Sequence, residues 1–158
     1  MKIFIDSEGI LCYGFVLISE KWLDEGKFFD DFVGEKYGFA NPFLQNAEWI
    51  ERRKKPINKE QFDEIYQRLS KEVKLDEYRQ RIRKLIYTEI GIDLVFYASD
   101  DYPLCALAIY ESIVRINRGF AKGLGQCIIS KPEWRETLKS FCDKTGIQFQ
   151  EPQFLLCS

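Results

Sequence analysis

Residues 92–116 read Ile92-Asp93-Leu94-Val95-Phe96-Tyr97-Ala98, then Ser99-Asp100-Asp101-Tyr102-Pro103, then Leu104-Cys105-Ala106-Leu107-Ala108-Ile109-Tyr110-Glu111-Ser112-Ile113-Val114-Arg115-Ile116. The first seven are a short, mostly apolar run of the kind that sits buried inside a sheet, and they predict a central strand. Asp101 is a preferred N-cap residue and Pro103 suits a first helical turn. The apolar residues from Leu104 to Ile116 therefore predict a helix that is apolar over much of its circumference.

Downstream, Gly123 to Gly125 predicts a loop and Gln126 to Ile129 a strand. Ser130 and Glu133 form a capping-box pair around Pro132, and Trp134, Leu138, Phe141 and Cys142 line the helix behind them. Lys144 and Gly146 close that helix, and Ile147–Gln150 and Phe154–Cys157 predict edge strands around Pro152. From residue 92 onward the pattern alternates β-α-β-α-β, which favours parallel pairing with right-handed crossovers.

Upstream, Lys2–Asp6 and Ile10–Ile18 are strand-like and separated by Ser7-Glu8-Gly9, a hairpin pattern. Between Ser19 and Gly38 the apolar residues are interrupted by glycines, which predicts short helices and loops. Asn41-Pro42 predicts a helix start, with Phe43, Ala47 and Ile50 behind it and Pro56 ending it. Asn58 with Gln61 starts a further helix with a Phe62, Ile65, Leu69, Val73 stripe. Tyr78, Ile82, Leu85, Ile86 and Ile90 form another, stopping at Gly91. The expected fold is α/β or α+β. It has a mixed sheet from the N-terminal hairpin and the C-terminal β-α-β-α-β unit, packed on a helical middle segment.

Length and composition set bounds on function. A chain of 158 residues, 46% hydrophobic and 30% charged, has globular composition at about the commonest domain size, so residues 1–158 are expected to form a single domain. No apolar run reaches the roughly 18 residues of a membrane span, and Met1 to Asp6 lacks the apolar core of a signal peptide. Cys12, Cys105, Cys127, Cys142 and Cys157 are odd in number, form no CxxC pair and read as buried thiols. A soluble, cytoplasmic protein is the expectation. The absence of histidine removes Ser-His-Asp and Cys-His catalysis and every His-ligated metal site.

Candidate catalytic groups are therefore carboxylates. Ser99, Asp100 and Asp101 follow the Ile92 strand, where ligands bind in open α/β sheets and a helix N-terminus attracts anions, although Asp101 also serves as a cap. Asp6 and Glu8 follow the apolar Ile3-Phe4-Ile5 and precede Gly9. This arrangement resembles the first motif of the haloacid-dehalogenase-like phosphohydrolases, a strand ending in a nucleophilic Asp with an acid/base Asp two residues on, then Gly-Thr. Glu8 stands for the second Asp and Ile10 for the Thr. Ile128-Ile129-Ser130-Lys131-Pro132 resembles the second motif, a strand ending in a phosphoryl-binding Ser or Thr. The resemblance implies a Mg²⁺-dependent phosphohydrolase, but too little chain follows Ser130 for that family's later strands. A hairpin turn accounts for Asp6 to Gly9 equally well.

Charge is segmental. Residues 1–50 are acidic and residues 51–90 basic, within a net charge of −2. Arg52, Arg53, Arg79, Arg81, Arg83 and Lys84 are candidate binding residues, for phosphates or for an acidic protein surface. Aromatic residues are dense between Trp22 and Trp49, as core or as exposed anchors of an interface. Gly119 to Gly125 follows a helix and leads to a strand, the wrong order for a phosphate loop. The favoured expectation is a non-catalytic protein-interaction or regulatory module with a protein partner and no cofactor or metal. The phosphohydrolase, with Mg²⁺, is the alternative, and nucleic-acid binding through the basic helices is third.

Overall fold

The computed structural model describes residues 9–17, 28–98, 103–116 and 129–157. The chain divides into two compact units, one of residues 1–21 and 86–158 and the other of residues 22–85. The first is a sheet with one long helix and the second is helical. The class is mixed α/β, with the helical middle segment that the periodicity predicts.

In the sheet unit, β1 is Gly9–Val16, β2 Ile92–Ala98, β3 Pro103–Ile109, β4 Val114–Ile116 and β5 Gln153–Cys157. Every pairing among the described strands is antiparallel. β2 pairs with β3, while β1 pairs with β3, β4 and β5. A strand has only two edges, and the register shows how β1 takes three partners. Leu11 is opposite both Val114 of β4 and Leu156 of β5, and Gly14 is opposite both Ala108 of β3 and Gln153 of β5. β3 and β4 therefore lie end to end along one edge of β1, and β5 occupies the other.

Two expectations are corrected here. The helix expected from Asp101 to Ile116 is β3, a single 3₁₀ turn at Tyr110–Ser112, and β4. The β-α-β-α-β unit with parallel crossovers falls with it, and the sheet is antiparallel rather than mixed. A short apolar run has no period that separates a buried strand from a buried helix, and tertiary pairing decides. Here Cys105, Ala106, Leu107, Ala108 and Ile109 are all buried, and both edges of β3 are hydrogen-bonded. Pro103 opens the strand, a place where its missing N–H is tolerated. The strand from Ile92, expected to be central, pairs only with β3 among the described residues.

The Tyr110–Ser112 turn interrupts the ladder along β1 and leaves a backbone donor facing the gap. Ser112 fills it. The Tyr13 N–H donates to Ser112 Oγ at 2.8 Å, and the Ser112 hydroxyl donates to the Ile109 carbonyl at 2.6 Å. Ser112 is 3% exposed, so water does not compete for either bond. The same turn is tied to the helix α5, Pro132–Thr145, through Glu111. Glu111 accepts from Trp134 Nε1 and pairs with Lys131 at 3.4 Å, and these partners hold its carboxyl below the usual range, the Trp134 bond foremost.

One face of the sheet carries Tyr13 and Phe15. Tyr13 meets Trp134 of α5 with ring centroids 5.6 Å apart, and Phe15 meets Phe149 at 6.1 Å. Trp134, Leu138, Phe141 and Cys142 are buried, as the periodicity predicts, and Gly146 closes α5 at φ +81°. The cap differs from expectation. Lys131 is the N-cap without a side-chain hydrogen bond, so Ser130 and Glu133 form no capping box. Ile147–Gln150 is not a strand. The opposite face gathers Cys12, Val95, Ala106, Ala108 and Cys157. Cys12, Cys105, Cys142 and Cys157 are buried and in no disulfide, as expected for structural thiols, and Cys127 lies outside the described residues. Burial, then the neighbouring Cys157, pushes the Cys12 thiol up to about 12. Before β2, the chain passes through a wide π turn at Ile86–Ile90, whose last bond runs from Gly91 N–H to the Ile86 carbonyl at 2.9 Å.

In the helical unit, α1 is Phe29–Lys36, α2 Ala47–Arg53, α3 Lys59–Glu72 and α4 Leu75–Leu85. Asn58 caps α3 by accepting from Gln61 N–H at 2.8 Å, and Ile65 and Leu69 of the expected stripe are buried. The helix expected from Asn41 begins later. Asn41 Oδ1 accepts from Phe43 N–H at 2.9 Å, closing a local turn, and Asn46 is the cap of α2, accepting from Trp49 N–H at 3.1 Å. Two Asn residues compete for the role, and the one whose turn leads on to Trp49 takes it. No helix among the described residues is long and apolar enough to cross a membrane.

Two substitutions test the sheet. Ser112→Ala leaves the Tyr13 N–H buried without an acceptor and is expected to lower stability by about 1–3 kcal/mol in denaturant unfolding, at unchanged m-value. Gly14→Ala is expected to cost at least as much. A Cβ there would stand 1.9 Å from the Leu107 carbonyl oxygen and 2.8 Å from Ala108 Cα, and backbone rather than a side chain would have to give. Overpacking of a well-packed core typically costs about 1–3 kcal/mol, and here the obstacle is the adjoining strand itself.

Candidate functional site

Within the helical unit, a cleft of about 440 Å³ opens between the helices, inside the range of roughly 300–1,000 Å³ usual for ligand sites. Its apolar wall begins with aromatic rings brought together from three elements. Phe43 lies in the turn before α2, Trp49 on α2, and Tyr66 on α3. Phe43 and Trp49 centroids are 4.4 Å apart, Phe43 and Tyr66 5.0 Å, and Trp49 and Tyr66 6.2 Å. Phe62, one turn before Tyr66, joins the cluster at 5.4 Å from Trp49. Each such contact adds about 0.5–1.5 kcal/mol beyond area burial. Phe28, Phe32, Leu44 and Leu75 complete the apolar lining.

The polar side of the cleft is built around Arg79 of α4. Its Nε donates to both oxygens of Asp31 of α1, at 3.1 and 3.2 Å, and its Nη2 donates to Asp31 Oδ2 at 2.8 Å and to the Tyr66 hydroxyl at 3.2 Å. The guanidinium also lies over the Phe28 ring, 3.8 Å from the centroid. Burial opposes the charge on Arg79, but the hydrogen bonds to Asp31 and Tyr66 outweigh it and hold its pKa above the ordinary value. The side chains of Arg79 and Asp31 are only 15% and 24% exposed, so this pair is far less screened than a surface ion pair.

Around this centre stand Arg53, Glu35 and Asn41. At the far side of α2, Glu48 accepts from Arg68, which also reaches Glu72 at 3.3 Å, an exposed cross-link worth little stability. The buried Trp49 Nε1 and Tyr78 hydroxyl have no hydrogen-bond partner among the described residues. Burial, then the charge of Asp31, raises the Tyr78 pKa.

The structure brings together two of the basic residues singled out in the sequence, Arg53 and Arg79, and distributes the others. Arg52 lies in the last turn of α2 and lines a different hollow, with Lys55 and Arg68. Arg81 lies over the Tyr78 ring, and Arg83 and Lys84 lie in the last turn of α4. Arg79 is turned inward and matched by Asp31, so the six do not form one basic groove. Asp6 and Glu8, like Ser99, Asp100 and Asp101, lie outside the described residues. The helix whose N-terminus was to support Asp100 and Asp101 is the strand β3. Ile129 and Ser130 lie in no strand, which removes the strand end that the second phosphohydrolase motif requires. Among the described residues, no three His, Cys, Asp or Glu side chains are grouped to hold a metal.

Asp31, Tyr66 and Trp49 carry the cleft and were not singled out individually in the sequence. The available signal was the aromatic density up to Trp49. Nothing in it specified that Asp31 would meet Arg79, 48 positions away. If the pair organises this wall, Asp31→Ala strands a partly buried guanidinium and is expected to cost about 3 kcal/mol, whereas Asp31→Leu with Arg79→Met restores most of the loss. A double-mutant cycle by denaturant unfolding measures this, and additive losses would refute the coupling. No protein-family model, curated protein or solved structure matches the chain.

Proposed function

We propose that the chain is a non-catalytic protein-interaction or regulatory module, and that its helical unit receives a protein partner in the aromatic cleft. The observation that carries this reading is the composition of the wall. Trp49, Tyr66 and Arg79 are the residue types that dominate interface energetics, and they are gathered in one concave place. The same unit leaves large apolar side chains on its surface. Phe28 is 54% exposed, Leu44 48%, and Phe62 and Ile50 43% each. Phe28 and Leu44 line the cleft itself. Exposed apolar side chains at the rim of a cleft are a mark of interaction sites in water.

The polar groups of the cleft fit recognition. An ion pair, a phenol, a carboxamide and a guanidinium fix orientation and register. Four buried cysteines in no disulfide fit a chain that works in a reducing compartment, in keeping with a cytoplasmic location.

The test is capture of partners from native cells with the tagged chain, with and without nuclease, comparing it with Leu44→Glu. Leu44 is exposed, so the substitution is expected to leave the unfolding midpoint unchanged while abolishing recovery of a nuclease-resistant protein partner. Undiminished recovery with Leu44→Glu would refute the cleft as the docking site. Recovery lost on nuclease treatment would transfer the function to nucleic acid and to the exposed Arg52 and Lys55.

A further inference from the structure

One wall of the cleft holds a buried donor without an acceptor, Trp49 Nε1–H. Both oxygens of Asp31 accept from Arg79, and Asn41 Oδ1 accepts from the Phe43 N–H. Trp49 Nε1–H has no acceptor although Trp49 is 94% buried, and among the described residues Arg79 bonds through Nε and Nη2. Glu35 also lines the cleft and is exposed, so its carboxylate is open to water. An indole nitrogen can only donate, so Trp49 is satisfied only by an incoming acceptor. The formal charges on the walls cancel, Asp31 and Glu35 against Arg53 and Arg79, so the cleft does not call for a charged ligand.

We infer that the occupant of the cleft is an uncharged apolar peptide segment of the partner, which inserts a bulky side chain among Phe28, Phe43, Leu44 and Tyr66 and offers a backbone carbonyl to Trp49 Nε1–H. The inference rests on the interaction reading above and names the chemistry of the partner. The indole nitrogen is covered in the free chain, so the carbonyl reaches it as the wall adjusts, a side-chain change common at interfaces. A ring or branched aliphatic side chain matches the aromatic wall, and the carbonyl satisfies the buried Trp49 Nε1–H.

The experiment follows the indole N–H signals of the ¹⁵N-labelled full chain by NMR. The chain has three Trp, and the Trp49 signal is assigned by its loss in Trp49→Phe. The probes are N-acetyl-L-phenylalaninamide, which has a ring and carbonyls, N-acetyl-L-phenylalanine, which adds a negative charge, and ethylbenzene, which has the ring alone. The expected result is a saturable downfield shift of the Trp49 indole proton with the amide, at least tenfold weaker in Leu44→Glu, and no such shift with ethylbenzene. A Trp49 signal that the amide does not move, or that ethylbenzene moves equally, overturns the acceptor requirement. Tenfold tighter binding of the carboxylate overturns the uncharged ligand. Probe binding supports the inference whether or not a partner is captured from cells, and failure of capture overturns only the interaction reading. Capture through the cleft combined with an unmoved Trp49 signal leaves that reading standing and removes this inference.

Discussion

β1 is hydrogen-bonded along both edges, and the sheet unit depends on that arrangement. One edge carries β5, and the other carries two strands in succession, β3 and β4, separated by a three-residue turn. An interrupted ladder normally leaves a backbone donor without a partner inside the protein, and the loss is a substantial fraction of a domain's stability. The Ser112 hydroxyl removes the problem by standing in for a backbone carbonyl, accepting from Tyr13 while bonding back to Ile109. Gly14 supplies the other condition. Its missing side chain lets β1 approach β3 to a distance at which any Cβ would overlap the Leu107 carbonyl.

The helical unit rests on a different kind of constraint. Its helices are short and amphipathic, with caps from Asn46 and Asn58, and short helices take most of their stability from packing. Packing alone would close the space between them. The Arg79–Asp31 pair, braced by Tyr66 and covered by Phe28, keeps one wall polar while the ring cluster around Trp49 keeps the other apolar. A cleft with two chemically different walls is the result, and the proposed recognition of an apolar segment through a carbonyl follows from that difference.

Local signals were legible wherever a residue acts on its own neighbourhood. Asn58 with Gln61, the glycines at 91 and 146, and the apolar face of the helix after Pro132 each work within one or two turns of chain, and each appears where the pattern placed it. Local signals misled where two readings were locally equal. Asn41 and Asn46 both have capping chemistry, and Asp101 with Pro103 is as good a helix start as it is a strand approach. The candidate site was legible only as composition. Arg53 and Arg79 were visible as basic residues, and the aromatic density ahead of Trp49 was visible as a possible anchor cluster.

The sequence by itself determined the mixed class, the helical middle, the burial of the described cysteines and the absence of histidine chemistry, because these follow from composition and from interactions a few residues long. The tertiary structure decided that residues 103–109 and 114–116 are strands, that the sheet is antiparallel, and that Asp31 meets Arg79. Those outcomes rest on contacts set by the fold, such as Gly14 opposite Ala108, Ile10 opposite Cys157, Tyr13 with Ser112 and Asp31 with Arg79. Such contacts leave no period in the chain, and a buried hydrogen bond made between distant positions outweighs the small local preference for helix.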